Sequence, residues 1–302
     1  MSRILPICLV TGFLGTGKTT LLKHIVARRR DRKIVYLINE FSAQDVDGAV
    51  VAAENPNVVS IPGGSIFCKC LVTEFIRELK NTAERWSDAD GVVIEASGMA
   101  NPKVMEQMLA ETGLDRLFRL ATVVSVVDPN SFLKLRHTLP NILAQIEAAD
   151  IVLINKTDRS PPEKTTETEA LVRQINPAAE CIRSVRCEVE LDLFAQHAPR
   201  GLQGEYAKCR DPRYETFVTN EPLDGAALER FTHERAADIY RVKGCLPGEF
   251  FDYSTAGVTR TPRPVAAPAL AWIVRGGAGA EIRLALAALP CRPGNQYPAT
   301  NN

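Results

Sequence analysis

The sequence predicts an α/β chain: a doubly wound, mostly parallel sheet followed by a smaller α+β domain. Two observations carry that expectation. Short, continuously apolar, β-branched runs alternate with longer helix-like stretches over the first two-thirds of the 302 residues. Strands of a parallel sheet covered on both faces read this way. After residue 213 the alternation gives way to closely spaced short strands beside one helical stretch.

The strand-like runs are 7–11, 34–39, 58–61, 91–95, 121–128, 151–155 and 180–184. Between them lie helical stretches at 18–30, 71–86, 102–112, 139–148 and 163–175. Residues 1–195 therefore form the first domain. Residues 196–213, rich in Gly, Pro and charge, read as a linker. The second domain, 214–290, has strands near 216–218, 239–242, 250–253, 258–261 and 270–274, with a helix over 225–237. The ending 291–302 reads as a tail.

Composition excludes several classes. Lysine plus arginine equals aspartate plus glutamate at 36 each, so overall charge favours neither a nucleic acid nor an anionic membrane as partner. The basic cluster Arg28, Arg29, Arg30, Arg32 and Lys33 sits where the first helix should end, and reads as a solvated face complementing the helix dipole. No apolar run reaches the ~20 residues that span a bilayer. The start, moving directly into a strand, lacks the pattern of a signal peptide, so the expected location is cytoplasmic. The eight cysteines then read as thiols or ligands. Cys8, Cys181, Cys187, Cys209, Cys245 and Cys291 are scattered and read as small buried apolar side chains; only Cys68 and Cys70 form a close pair.

The chemistry concentrates in two motifs. Gly12-Phe13-Leu14-Gly15-Thr16-Gly17-Lys18-Thr19 matches G-x-x-x-x-G-K-[ST] between an apolar strand and an amphipathic helix, the context a phosphate-binding P-loop requires. Gly12, Gly15 and Gly17 let backbone N–H groups curl around phosphate oxygens, with Thr16 and Thr20 at the helix start, whose dipole favours an anion. Lys18 is placed to reach the β- and γ-phosphates, and the Thr19 hydroxyl to bind Mg²⁺. The second motif, Asn155-Lys156-Thr157-Asp158, follows a strand. The Asp158 carboxylate accepts from guanine N1–H and N2–H₂, a donor pair adenine lacks, and the Lys156 stem covers the base. Glu95, at the tip of a strand in Glu95-Ala96-Ser97-Gly98, is the expected second Mg²⁺ holder, with the Gly98 N–H near the γ-phosphate. A P-loop NTPase that hydrolyses GTP follows, with Lys18, Thr19 and Glu95 as catalytic residues. No glutamine or arginine finger stands out, so slow turnover accelerated by a partner or a homodimer is expected.

Taken together these residues resemble the CobW-type metallochaperone GTPases, relatives of the urease and hydrogenase nickel-insertion GTPases. The likeness runs from Thr11 to Leu22, through Asn39-Glu40-Phe41, Asp45-Val46-Asp47-Gly48, Glu95 to Gly98, Asn101-Pro102, Val127-Asp128 and Asn155 to Asp158. It continues in Tyr240-Arg241-Val242-Lys243-Gly244 of the second domain. The resemblance implies a GTP cycle that carries a transition metal to a client protein. The family's metal motif reads G-G-C-x-C-C, whereas this chain has Gly63-Gly64-Ser65-Ile66-Phe67-Cys68-Lys69-Cys70. Ser65 and Phe67 replace two thiolates, Cys68 remains, and Cys70 is additional.

Three readings stay open. In one, Cys68 and Cys70, completed by Glu40, Asp47 or a second subunit, bind Zn²⁺ or Co²⁺ for delivery, with 39–48 and 60–70 as nucleotide-ordered segments. In another, the protein is a conformational chaperone of a cofactor-dependent enzyme, such as a corrinoid protein, with the cysteine loop as an interaction surface. The third, a P-loop small-molecule kinase, is disfavoured by the base-reading motif. None of His24, His137, His197 and His233 lies near the cysteine loop in sequence.

Overall fold

A computed structural model describes residues 3–40, 57–62, 66–67, 71–195, 197, 201–206, 213–254, 257–263 and 267–291. Its contacts divide the chain into two units, Met1–Cys209 and Arg210–Asn302.

The first unit is built on seven parallel strands: β1 (Leu5–Thr11), β2 (Ile34–Glu40), β3 (Val58–Pro62), β4 (Gly91–Glu95), β5 (Phe118–Val127), β6 (Ile151–Ile154) and β7 (Glu180–Arg183). Their order across the sheet is β3-β2-β4-β1-β5-β6-β7. Every residue of β1 and β4 is buried, which is why both read as unbroken apolar runs. Successive side chains of β1 serve opposite faces. Leu5, Ile7 and Leu9 join Val92, Ile94, Phe67 and Phe75 in one core; Cys8 and Val10 join Leu21, Leu22, Ile25 and Tyr36 in the other. The helices are α1 (Lys18–Arg28), α2 (Val72–Arg85), α3 (Val104–Glu111), α4 (Pro129–Leu135), α5 (Pro140–Glu147) and α6 (Pro162–Ile175). β1 lies between β4 and β5; the chain passes from β1 to β2 on one side and from β4 across to β5 on the other, so the C-terminal end of β1 opens on the crevice where such sheets bind ligands.

Several boundaries differ from expectation for local reasons. β5 starts at Phe118 rather than 121, because Leu5 and Pro6 pair with Phe118 and Arg119 and carry the ladder past the apolar run. α1 stops at Arg28, not 30. Arg28 donates instead to the Val189 carbonyl at 2.7 Å and Arg29 to that of Leu191 at 3.1 Å, pinning the segment after β7 over α1. Two members of the basic cluster thus bind backbone, beyond the solvated face expected. α4 was not anticipated, although Asp128 caps it through Asn130 N–H at 2.9 Å and Pro129 takes its first turn. Part of the expected linker lies on the first unit: Tyr206 packs on its core and donates to Glu111 Oε2 at 3.0 Å.

The second unit is an antiparallel sheet in the order β11-β10-β9-β12-β8. Its strands are β8 (Tyr214–Thr219), β9 (Ile239–Leu246), β10 (Glu249–Ser254), β11 (Gly257–Pro262) and β12 (Ala269–Arg275). Helices α7 (Gly225–Glu234) and α8 (Gly279–Leu286) cover one face, packing Leu228, Phe231 and Ile282 on Trp272, Val242 and Phe251. Sequence reading missed α8 and ran α7 three residues too far. β9 passes Gly244, which the expected strand 239–242 did not reach: its φ is 149°, and a Cβ there would strike the Ala269 carbonyl of β12.

Among the described residues no helix is long and apolar enough to cross a membrane. Cys8 and Cys187 are buried as expected; Cys181 and Cys245 are only half-buried and Cys291 is exposed, pairing with Leu223 at the edge of its unit, so these three correct the expectation, while Cys209 lies outside the described residues.

Candidate nucleotide and metal site

The phosphate loop leaves β1 at Gly12 and enters α1 at Lys18. Its path needs backbone that side chains forbid. Gly12 has φ 137° and a Cβ there would collide with the Val126 carbonyl of β5. Gly15 has φ 74°. Gly17 has φ 118°, and a Cβ would sit 2.5 Å from Asn155 Nδ2 and 3.0 Å from Cys187 Sγ. The Thr16 hydroxyl, 1% exposed, donates to the Phe13 carbonyl at 2.9 Å. Lys18 is buried under the loop, its Nζ donating to the carbonyls of Gly12 at 2.9 Å and Phe13 at 3.2 Å. Thr20 is exposed on the first turn of α1.

The Thr19 hydroxyl donates to Glu95 Oε1 at 3.4 Å, bringing the two expected Mg²⁺ holders together across the strand ends. These are hard oxygen donors, and neighbouring ligands of an octahedral Mg²⁺ lie about 3 Å apart, so the pair fits that ion. Gly98, three residues beyond Glu95, lies against the same loop: a Cβ there would be 2.7 Å from Leu14 N.

The loop expected to read the base is bolted to the phosphate loop. Asn155, 2% exposed, donates to the Thr16 carbonyl at 2.8 Å. Its Oδ1 accepts from Cys187 N–H at 2.9 Å and from the Ser184 hydroxyl at 3.2 Å. Lys156, at φ 59°, donates to the Gly15 carbonyl at 2.5 Å and pairs with buried Asp128 at 3.0 Å. A short 3₁₀ turn, Thr157–Arg159, then presents Asp158 at the surface, with Arg159 at 3.8 Å. The carboxylate expected to read the base therefore stands open at the end of a rigidly tethered segment.

Sequence reading passed over three participants. Asn39, near the end of β2, was noted only within a motif and the 39–48 segment; its Oδ1 accepts from Ser97 N–H at 3.3 Å and Ile66 N–H at 3.1 Å, joining the loops after β4 and β3. Cys187 was assigned only burial, yet its thiol donates to the Gly17 carbonyl at 3.4 Å, and burial pushes that thiol up to about 12. Gln145 on α5 was not singled out at all, although its carboxamide reaches the Gly98 carbonyl. A polar asparagine closing an apolar strand was the only available signal, and it applied to Asn39 alone.

The transition-metal expectation rests on residues of which less is described. Cys68, Cys70, Asp47 and Ser65 lie outside the described residues, and Glu40 is placed only as the last residue of β2, opposite Pro62. Among the described residues no group of three or more His, Cys, Asp or Glu is arranged to hold a metal. Phe67, which stands where the family motif has a thiolate, is fully buried and packs edge-on against Phe75 at 6.0 Å.

A family model described as the CobW/HypB/UreG nucleotide-binding domain matches residues 6–183. Among curated proteins, the chain is similar to the zinc chaperone YeiR of Escherichia coli, 31% identical over 189 residues that cover 62% of this chain and 57% of YeiR. It is similar to the zinc chaperone CobW of Pseudomonas aeruginosa at 28% over 222 residues, covering 63% and 59%. The zinc chaperone YjiA of Escherichia coli is 29% identical over 263 residues, 80% of this chain and 81% of YjiA. The chain thus spans a little over half the length of YeiR and CobW.

Proposed function

The chain belongs to the CobW/HypB/UreG nucleotide-binding family, and from that premise we propose that it binds and hydrolyses GTP and couples its nucleotide state to delivery of a metal or metal cofactor to a client protein. The observation that carries the reading is the pair of bonds from Asn155 to Thr16 and from Lys156 to Gly15. They lock a base-reading loop ending in an open carboxylate onto a phosphate loop, the geometry a guanine nucleoside triphosphate needs at its two ends.

In this reading Gly12, Gly15, Thr16, Gly17 and Thr20 frame the phosphates, and Lys18 moves its ammonium from the loop carbonyls onto the β- and γ-phosphate oxygens. Thr19 and Glu95 would hold Mg²⁺, which when bound neutralises phosphate charge. Gly98 offers backbone to the γ-phosphate, and Asp158 accepts from guanine. Water then attacks the terminal phosphorus in line, yielding GDP and phosphate.

The test is nucleotide selectivity. Wild type should release phosphate from GTP with Mg²⁺ and prefer GTP to ATP. Asp158→Asn should weaken GTP and admit xanthosine triphosphate, whose C2 carbonyl matches the new amide donor. Unchanged selectivity refutes the Asp158 assignment; an ATP preference restores the kinase reading.

The cargo reading follows the names of the relatives, three of which are called zinc chaperones. Zinc bound through Cys68 and Cys70, with Glu40 as a further ligand, predicts that Cys68→Ser/Cys70→Ser loses Zn²⁺ affinity in the GTP state; equal affinity sinks the thiol site. Buried Phe67 favours a second reading, in which the loop contacts a cofactor-dependent enzyme without carrying free metal. Capture of a cofactor-bearing client by a metal-free protein would support it.

A further inference from the structure

The loop after β4 is gripped from α5 in a way the nucleotide motifs do not explain. Residues 96–100 are all buried, so their carbonyls need protein partners. Three successive ones find them on a single helix. Gln145, 1% exposed, donates through Nε2 to the Gly98 carbonyl at 3.1 Å and to the Ala100 carbonyl at 3.2 Å. Asn141, one turn earlier on α5, donates through Nδ2 to the Met99 carbonyl at 2.7 Å. Lys103, just beyond, pairs with Glu147 at the end of the same helix. On its other side the loop is pressed onto the phosphate loop: a Cβ at Gly98 would lie 2.6 Å from Leu14 Cδ2 as well as close to Leu14 N. Gln145 also shares a small cavity with Phe13 and Thr16 of that loop.

We infer that Gln145 and Asn141 are positioning residues for GTP hydrolysis, setting the backbone of 98–100 against the phosphate loop. The inference rests on the GTPase reading above. Its physical basis is the planar trans peptide: fixing a carbonyl fixes the plane of its peptide and the direction of the N–H opposite. Three fixed carbonyls therefore orient the peptides from Gly98 to Asn101, and the Ala100 N–H so oriented donates to the Ser97 carbonyl at 2.9 Å, which fixes in turn the 97–98 peptide that carries the Gly98 N–H. Gly98, lacking a Cβ, has the greatest backbone freedom of this loop, and its carbonyl is one that Gln145 holds. A donor aimed at developing charge contributes only when it is oriented beforehand. Loss of the clamp should slow the chemical step while leaving the diphosphate state, which lacks the γ-phosphate, nearly unaffected.

Gln145→Leu keeps the volume and removes both donors; Asn141→Ala removes one donor at a half-buried site. Phosphate release at saturating GTP and Mg²⁺, affinity for a fluorescent GDP and melting temperature would be measured for each. The expected result is kcat lowered about tenfold in Gln145→Leu and about threefold in Asn141→Ala, the size of one or two hydrogen bonds, with GDP affinity within about twofold of wild type. Wild-type kcat in both folded variants overturns the inference. So does a parallel fall of kcat and GDP affinity, which marks a purely structural role. If Gln145→Leu does not fold, Asn141→Ala decides alone. A wild type that releases no phosphate from GTP removes the GTPase reading and this inference with it, a result distinct from any variant effect.

Discussion

Gly17→Ala tests the joint between the two nucleotide loops. The substitution meets two obstacles. Alanine at φ 118° lies outside the regions L side chains occupy, at a cost of about 1–3 kcal/mol. The new methyl would stand 2.5 Å from Asn155 Nδ2 and 3.0 Å from Cys187 Sγ. Neither neighbour is the free end of a flexible side chain. Asn155 is held by Thr16, Ser184 and Cys187 together, so it yields only by breaking a bond, at about 1 kcal/mol or more for each buried group left unpaired. The sum is about 2–4 kcal/mol. For a unit of this size the melting temperature should fall by roughly 5–15 °C. Because the displaced carboxamide anchors the loop that carries Asp158, guanine nucleotide affinity should fall further than stability alone explains. Thermal unfolding followed with and without GDP reads both effects. A melting temperature within about 2 °C of wild type, together with unchanged GDP stabilisation, would refute the reasoning.

Other outcomes follow from single contacts. Phe67→Cys, which restores a thiol at a family motif position, should destabilise by about 3 kcal/mol through loss of the buried ring against Phe75 and leave Zn²⁺ affinity unimproved; denaturant unfolding and metal titration check both. Cys187 should resist maleimide at pH 7.5 while exposed Cys291 reacts, which peptide mapping of the labelled protein resolves. With the Cys187 thiol pushed up to about 12 by burial, the unfolded thiol ionises first. Its contribution is therefore full below about pH 8.5 and declines as pH rises toward 12, by roughly 2 kcal/mol at pH 10. Cys187→Ala should flatten that decline in urea titrations at pH 8 and pH 10.

What could be read from the sequence was what local chemistry dictates. Gly12 to Thr19 and Asn155 to Asp158 are each a short stretch of chain at a strand end, and the structure joins them through Asn155 and Lys156; the apolar runs of β1, β4 and β6 follow from burial on both faces. The extents of β5 and β9 were not readable, since partners elsewhere in the sheet extend them through Arg119 and Gly244. α4 was legible in its Asp128-Pro129 start, but Asp128 was read as the end of the preceding strand and 129–135 as no element. The least legible residues were Asn39, Asn141, Gln145 and Cys187. Each acts by satisfying backbone groups 27 to 170 positions away, and an amide or thiol side chain carries no sign of which backbone group it will meet.

The joint at Asn155 bears on how this fold tolerates change. One side chain serves the phosphate loop, the end of β6 and the turn after β7, so a substitution in any of the three is judged by the other two. Loops grafted singly from a relative into this chain should fail where the same loops grafted as a set succeed. Sequence drift here is expected to proceed by coordinated replacement, with Gly17, Asn155, Ser184 and Cys187 changing together or not at all.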